Sequence, residues 1–593
     1  MAGVQEARDA DGDIHGSRRS GDRRHQPRAR RVLVFPLPFQ GHIDPMLHLA
    51  GVLHSRGLAV TVLHTRFNAL DPARHPEFQF VAVPDGTPAD VAATGRIIDI
   101  ILSMNAAMES SSSAAVEEAL ASAAALADQP RAACLFIDAN LLAVHRAARK
   151  IGLPTLVLRT GSAACFGCFL AYPMLHEKGY LPPRESQLCT PVPELPPLRV
   201  KDLVYSKHSD HELVRRVLAR ASETVRGCSG LVINTFEALE AAEIGRLRDE
   251  LADLPVILAA GPLHKLSSSR GAGSSLLAPD RSCIEWLDAQ RSGSVLYVSF
   301  GSLAAMDSSE FLTSWRWPGV WQRAATPSSG SSDPTSVRLP DGFEDAVKAG
   351  RGVVVRWAPQ QEVLAHRAVG GFWSHCGWNS TLEAISEGVP MICRPDAVDQ
   401  MMNTRYVQDV WGVGFELEGK LERGKIKDAI RKLMSEREGD EMRERAQELR
   451  GKVASCLERS SGSSQIAIDK LGICEPSVLE IEAENGDSKE QMKRNAEETG
   501  TRLLFVCKRN IPIEVARMKA RATQALRIWK KINSPAATGA MERTHLHEVL
   551  LVLEGSRAGA TSAWTAALGL GSVRLARASE PGGAMRGRRR RRG

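Results

Sequence analysis

The chain has 593 residues, 43% of them hydrophobic and 24% charged, with a formal net charge of +7. That length allows several domains, and no apolar run reaches the ~18 residues needed to cross a membrane. The charged N-terminus has no apolar core of a signal peptide and too many acids for a transit peptide, so a cytoplasmic protein is expected. The basic balance is not spread evenly: residues 472–593 hold 22 Lys and Arg against 13 Asp and Glu, a local +9 that leaves the rest at −2.

Residues 1–30 are rich in Arg, Asp, Gly and Ser and read as a disordered arm. Arg31 to Phe35 is a short buried strand, followed by a Gly-His turn and an apolar helix from about Asp44. His42 falls where strand gives way to helix, the edge at which open α/β sheets bind ligands. A lone histidine there is more often structural than catalytic. Ala133 to Asn140 reads as a second buried strand ending in Asp138, an acid that also suits the N-cap of a following helix. Thr155 to Phe166 reads as a strand and pocket turn, and Leu231 to Glu240 as a strand and capped helix. Cys165 and Cys168 form the one CxxC among eleven cysteines. They precede an apolar helix without a partner pair, which reads as packing rather than zinc or redox chemistry. Ser267 to Ser275 is a flexible linker by composition. Cys283 to Gln290 reads as a short helix, and Val295 to Ser302 as a strand with a small-residue turn.

After that strand an α/β unit needs an amphipathic helix and another apolar strand. Residues 311–336 supply neither period: Trp315, Trp317 and Trp321 crowd around Pro318 and Gly319, and a Ser/Pro/Gly run follows. This segment reads as a local disruption that leaves a central strand missing or improvised. The pattern resumes with Gly352 to Trp357, a β-branched strand. Gly370 to His375 is the next strand, and a helix from near Gly377 ends at Gly388, a plausible C-cap before Pro390. Asn379 and Ser380 suit its first turn, where unpaired N–H groups and the dipole attract phosphate. Glu383 lies four residues beyond Asn379 on the same face. Pro390 to Pro395 is a third strand, and Asp399-Gln400 follows at the same sheet edge.

Taken one by one, these residues have ordinary readings: Trp357 as core, His375 as a satisfied histidine, Glu383 as a solvated helix acid. In order, the 44 residues from Trp357 to Gln400 closely resemble the sugar-nucleotide signature of plant secondary-product UDP-glycosyltransferases. The GHxxPM segment around His42 is similar to that family's catalytic-base segment. The resemblance runs from roughly Arg31 to Leu471. It implies an α/β fold of the GT-B type, with an acceptor-binding Rossmann-like domain over residues 31–265 and a UDP-sugar domain over 266–471 facing a cleft. Residues 472–593 are left as a basic, largely disordered extension, with one candidate helix at Glu514 to Ile532.

The same resemblance implies roles. Trp357 stacks on uracil while the Ala358 backbone pairs with its edge. Gln360 lies near the ribose and Glu383 binds its hydroxyls. Ser302, His375, Gly377, Asn379 and Ser380 surround the diphosphate. Trp378, Asp399 and Gln400 contact the transferred sugar, and a terminal Gln favours glucose. His42 takes the acceptor's proton and Asp138 orients it. The expected reaction is inverting transfer of glucose from UDP-glucose to a hydroxyl of a small lipophilic metabolite, without metal or cofactor, by a monomer. The acceptor-side detail is most like grass benzoxazinoid-type glucosyltransferases. The alternative is a degenerate paralogue that binds nucleotide or ligand but is impaired by residues 311–336. The terminal arginines, Arg588 to Arg592, fit nucleic acid or anionic lipid, but unselected basic sequence has the same composition, and no nucleic-acid partner is expected.

Overall fold

The computed structural model describes residues 30–126, 129–204, 210–267, 276–301, 350 and 352–471, together with the backbone of 319–322. Two wholly parallel sheets organise these residues, with helices on their faces. The first has the order β3-β2-β1-β4-β5-β6-β7. Its strands are β1 (Arg31–Phe35), β2 (Ala59–His64), β3 (Gln79–Ala82), β4 (Ala132–Asp138), β5 (Thr155–Arg159), β6 (Gly230–Ile233) and β7 (Ile257–Ala259). The central strands are buried throughout, as strands with helices on both faces must be.

The second sheet runs β10-β9-β8-β11-β12-β13. It comprises β8 (Val295–Ser299), β9 (Gly319–Gln322), β10 (Gly352–Val355), β11 (Val369–Ser374), β12 (Met391–Cys393) and β13 (Gly414–Glu416). In each sheet the order reverses once: between β1 and β4 in the first, and between β8 and β11 in the second. Ligands bind beyond the strand C-termini at such switch points. His42 follows β1, Asp138 ends β4 and His375 follows β11, so both switch points are flanked by the residues singled out from sequence.

Three features refine the sequence expectation. The helix after β1 spans Gln40–Ser55, so His42 lies in its first turn and not in a preceding loop. Pro45 would open a helix starting at Asp44, but it is tolerated inside this one because Gly41, whose carbonyl it cannot serve, finds another donor. Of the two alternatives for the central strand, missing or improvised, the second holds: Gly319–Gln322 lies between β8 and β10, with Val320 opposite Tyr297 and Val353. The backbone ladder of a parallel sheet needs only φ/ψ compatibility, so a segment without strand periodicity can still fill the slot. The remainder of 311–336, the residues from 472 onward and the candidate helix at 514–532 lie outside the described residues.

Finally, the helix Ser463–Lys470 does not stay with the second sheet. Ala467, Ile468 and Leu471 join the core on one face of the first sheet, beside β7, and Ser464 Oγ donates to the Gly261 carbonyl at 2.5 Å. Arg56 pairs with Asp469 on the same face. A boundary drawn at 266–471 therefore assigns to the second domain a helix that the first domain buries.

Candidate functional site

The site begins at the first switch point. Phe39 is extended and caps the helix Gln40–Ser55 without a side-chain bond, which places His42 in the first turn above the C-terminal ends of β1 and β4. His42 Nδ1 lies 2.7 Å from Asp138 Oδ2. The Asp138 side chain is 1% exposed and that of His42 26%, so the acid is sealed while the imidazole reaches the cleft. Burial pushes the Asp138 carboxyl up. Attraction and hydrogen bonding from His42, a backbone N–H from Asn140 and the charge of Arg159 outweigh it, and the acid sits below its ordinary range. An ionised carboxylate only accepts, so Nδ1 of His42 carries the proton and Nε2 is left as a base. Thr160 Oγ1 stands 3.1 Å from the same Nδ1.

Asp138 does not cap the next helix. The helix Leu142–Lys150 starts after Leu141, and its Ala143 N–H is met by Asn105 Oδ1 at 3.0 Å. The N-cap alternative for Asp138 is thereby removed. Cys165 and Cys168 are buried in the helix Ala163–Glu177, and burial pushes both thiols up, as packing residues require.

At the second switch point, His375 and the turn before the helix Trp378–Glu387 stand over β8 and β11. A Cβ on Gly301 or Gly377 would come within 2.6 Å of His375 Nε2, so both glycines are needed for the ring to fit. Burial pulls the His375 imidazole down to about 4, partly offset by a backbone bond at Ser299. Its Nδ1 has no partner among the described residues. The helix itself has Gly377 as N-cap, without a side-chain bond, so its first N–H groups are uncapped. Its other end closes at Gly388 with φ +69°, the left-handed cap read from sequence. Ser302 lies outside the described residues.

Gln360, Ser380 and Glu383 form one network. Gln360 Nε2 donates to Ser380 Oγ at 2.9 Å and to Glu383 Oε2 at 2.7 Å. Gln361 Nε2 donates to Glu383 Oε1 at 3.1 Å, and Tyr297 OH to Gln360 Oε1 at 3.1 Å. Burial lifts the Glu383 carboxyl to about 7 despite these donors. Trp357 is half-buried just past β10, its carbonyl accepting from Asp280 N at 2.8 Å, and Ala358 beside it is buried.

Two residues assigned to the sugar also bond to the protein's own backbone. The Trp378 indole N–H donates to the Asn234 carbonyl at 2.8 Å, and the ring is buried near Trp411. Its side chain belongs to the junction between the two sheets, which leaves only its backbone for a ligand. Gln400 Oε1 accepts from Asp396 N at 2.8 Å and Ala397 N at 3.2 Å, fixing its own loop. Asp399 Oδ2 accepts from Asn403 Nδ2 at 3.0 Å, and burial pushes that carboxyl up. The residues missed from sequence, Asn105, Asn140, Thr160, Asn234 and Asn403, are polar groups that hold the others. Asn140 alone had a local signal, an amide two residues after a strand-end acid.

Two parallel, switch-pointed sheets with their ligand edges turned toward each other define a nucleotide-sugar transferase of GT-B architecture. The UDP-glucoronosyl and UDP-glucosyl transferase family matches residues 338–444. DIMBOA UDP-glucosyltransferase BX8 of Zea mays is 46% identical over 446 residues, 73% of this chain and 96% of its own length. UDP-glycosyltransferase 76B1 of Arabidopsis thaliana is 38% identical over 74% of this chain and 96% of its own. Among solved structures, Phytolacca americana UGT2 complexed with UDP-2fluoro-glucose and pterostilbene aligns with a TM-score of 0.62 at 28% identity, covering 75% of this chain and 99% of that one. The chain belongs to the plant UDP-glycosyltransferase family.

Proposed function

We propose that the protein transfers glucose from UDP-glucose to a hydroxyl of a small lipophilic secondary metabolite, with inversion at the anomeric carbon. The observation that carries this reading is the pairing of a buried, ionised Asp138 with His42 at one switch point, facing an uncapped helix N-terminus at the other.

In this reading Nε2 of His42 takes the acceptor proton as the oxygen attacks the anomeric carbon, a contribution of ~10²–10⁴ in rate. Asp138 holds the imidazole tautomer and stabilises the imidazolium. UDP departs toward the N-terminus of the helix Trp378–Glu387. There free N–H groups meet its charge, and a phosphate beside His375 favours a proton on the unpartnered Nδ1. Trp357 and Ala358 take the uracil, and Glu383, poised near 7, accepts from the ribose hydroxyls. Charge on the leaving group is met by these protein donors, so a chelator is expected to leave turnover intact. Asp399 lies at the sugar edge, with Gln400 fixing the loop that carries it. The similarity to DIMBOA UDP-glucosyltransferases supports a compact heterocyclic or phenolic acceptor. No helix among the described residues is long and apolar enough to cross a membrane, which accords with the cytoplasmic location we propose.

The impaired-paralogue reading loses its main support with the strand Gly319–Gln322 in register between β8 and β10. The test is turnover of UDP-glucose with a panel of small hydroxyl compounds, with and without EDTA, beside calorimetric titration of UDP. UDP binding without turnover on any acceptor would return the impaired reading.

A further inference from the structure

The oxygen of Asp138 that faces away from His42 is held by a single neighbour. Asp138 Oδ1 accepts from both the backbone N–H and the side-chain Nδ2 of Asn140, each at 2.9 Å. Oδ2 is thereby left to His42 Nδ1 at 2.7 Å. Because an ionised carboxylate offers only acceptors, the Asn140 amide must turn its Nδ2 toward it. The consequence is unfavourable for Asn140 itself. The residue is 6% exposed, and its Oδ1 is buried without a partner among the described residues. Leaving a buried carbonyl unpaired costs free energy that an apolar side chain of similar size would not incur. A local defect of this kind, beside a candidate catalytic acid, calls for a functional reason.

The amide is also braced from behind. The Asn140 carbonyl accepts from Asn105 Nδ2 at 2.9 Å, and Asn105, 1% exposed, caps Ala143 N with its own Oδ1. The turn from Asp138 to Ala143 is thus pinned to the helix Ile97–Glu109, and the carboxylate has no freedom to rotate away from the imidazole. The charged groups acting on the pair are Arg159 on Asp138, and Asp399 on the His42 side.

We propose that Asn140 is a positioning residue for proton transfer, holding the Asp138 carboxylate in the one orientation that keeps the proton on Nδ1 of His42 and leaves Nε2 bare. This rests on the reading of His42 as the base, so His42→Ala is run beside every Asn140 variant. Full-length Asn140→Ala is assayed with UDP-glucose and two acceptors, phenol and para-nitrophenol. With phenol, kcat falls about tenfold, since loss of orientation at the base acts on the transition state. The KM for UDP-glucose stays within about twofold. With para-nitrophenol, largely ionised at about pH 8, the deficit shrinks because no base is needed.

A wild-type kcat on phenol overturns the proposal, as does an equal deficit on both acceptors, which a merely structural role would produce. Full turnover in His42→Ala would overturn the base assignment instead, a result distinct from either outcome for Asn140→Ala. If Asn140→Ala does not fold, Asn140→Ser, whose hydroxyl keeps a weaker donor, is read by the same criteria and falls between wild type and His42→Ala.

Discussion

Asn379 of the second domain donates its Nδ2 to the carbonyl of Gly41 in the first, at 2.9 Å. That carbonyl is available because the residue four places on is Pro45, which has no N–H to offer it. The two switch points are therefore joined by a hydrogen bond one residue away from His42. Around it, Trp378 bonds to Asn234, Lys265 pairs with Glu387, and Tyr406 OH donates to Glu243 at 2.7 Å. The helix that carries His42 and the helix that carries Asn379 are thus in direct contact at their first turns.

This relationship makes a double-variant prediction. Asn379→Ala leaves the Gly41 carbonyl unpaired, and Pro45→Ala supplies the missing N–H from within the helix. The double variant should therefore be more stable than Asn379→Ala alone, with a coupling of about 1 kcal/mol in a double-mutant cycle. Urea midpoints of the four proteins measure it, and strict additivity would show that the bond contributes nothing.

Removing the base should separate chemistry from binding. His42→Ala is expected to lower turnover at least ~10²-fold while calorimetric UDP affinity is unchanged. Near-normal turnover would take His42 out of the mechanism.

On the donor side, Glu383→Ala should weaken UDP-glucose binding by roughly 1–3 kcal/mol, the loss of hydrogen bonds to a charged acceptor. The wild-type carboxyl lies at about 7, and ribose hydroxyls prefer the ionised form. As pH falls below 7, the ratio of wild-type to variant donor affinity should therefore decline, since only the wild type loses an ionised acceptor at this position. Equal dissociation constants for the two proteins would end the ribose assignment.

The loop at the sugar edge carries its own test. Val398, a β-branched residue 44% exposed, sits at φ +60° next to Asp399. The left-handed region costs such a residue about 1–2 kcal/mol, more than the extra backbone entropy of glycine. Val398→Gly should raise stability by roughly 0.5–1 kcal/mol, read as a higher melting temperature. Gln400→His cannot reproduce both bonds to Asp396 and Ala397, and any move from glucose toward galactose in that variant is expected alongside a looser loop.

Acid stability follows from buried histidines. Burial pulls His48, His145 and His375 from 6.5 to about 4. Between those values the unfolded chain binds more protons than the folded one. Their contribution is full above 6.5 and is lost as pH falls toward 4, at most about 3 kcal/mol for each. Glu240 and Glu383, lifted to about 7 by burial, work in the opposite direction. The measurement is therefore a difference: His48→Leu should lose less stability than wild type between pH 6.5 and 4. Parallel urea midpoints in the two proteins would contradict it.

Much of the molecule was legible from residue order alone. The strand runs before His42 and Asp138, the glycine cap at Gly388 and the 44 residues from Trp357 to Gln400 have local causes: periodicity, φ preference and residue type at a helix start. Those causes determine element type and place functional side chains at sheet edges. Three things depended on contacts between distant segments. The strand Gly319–Gln322 was set by the ladder that β8 and β10 offer, not by its own pattern. The helix Ser463–Lys470 was drawn to the first sheet by apolar area that only exists once that sheet is folded. The partners of the site residues were set by contacts in space, Thr160 for His42 at a separation of 118 positions within the first domain and Gly41 for Asn379 at 338 where the two domains meet. Hydrogen-bond geometry is a property of positions in space. Sequence determined which groups could bond, and only the tertiary structure decided which did, turning Trp378 and Gln400 toward the protein's own backbone.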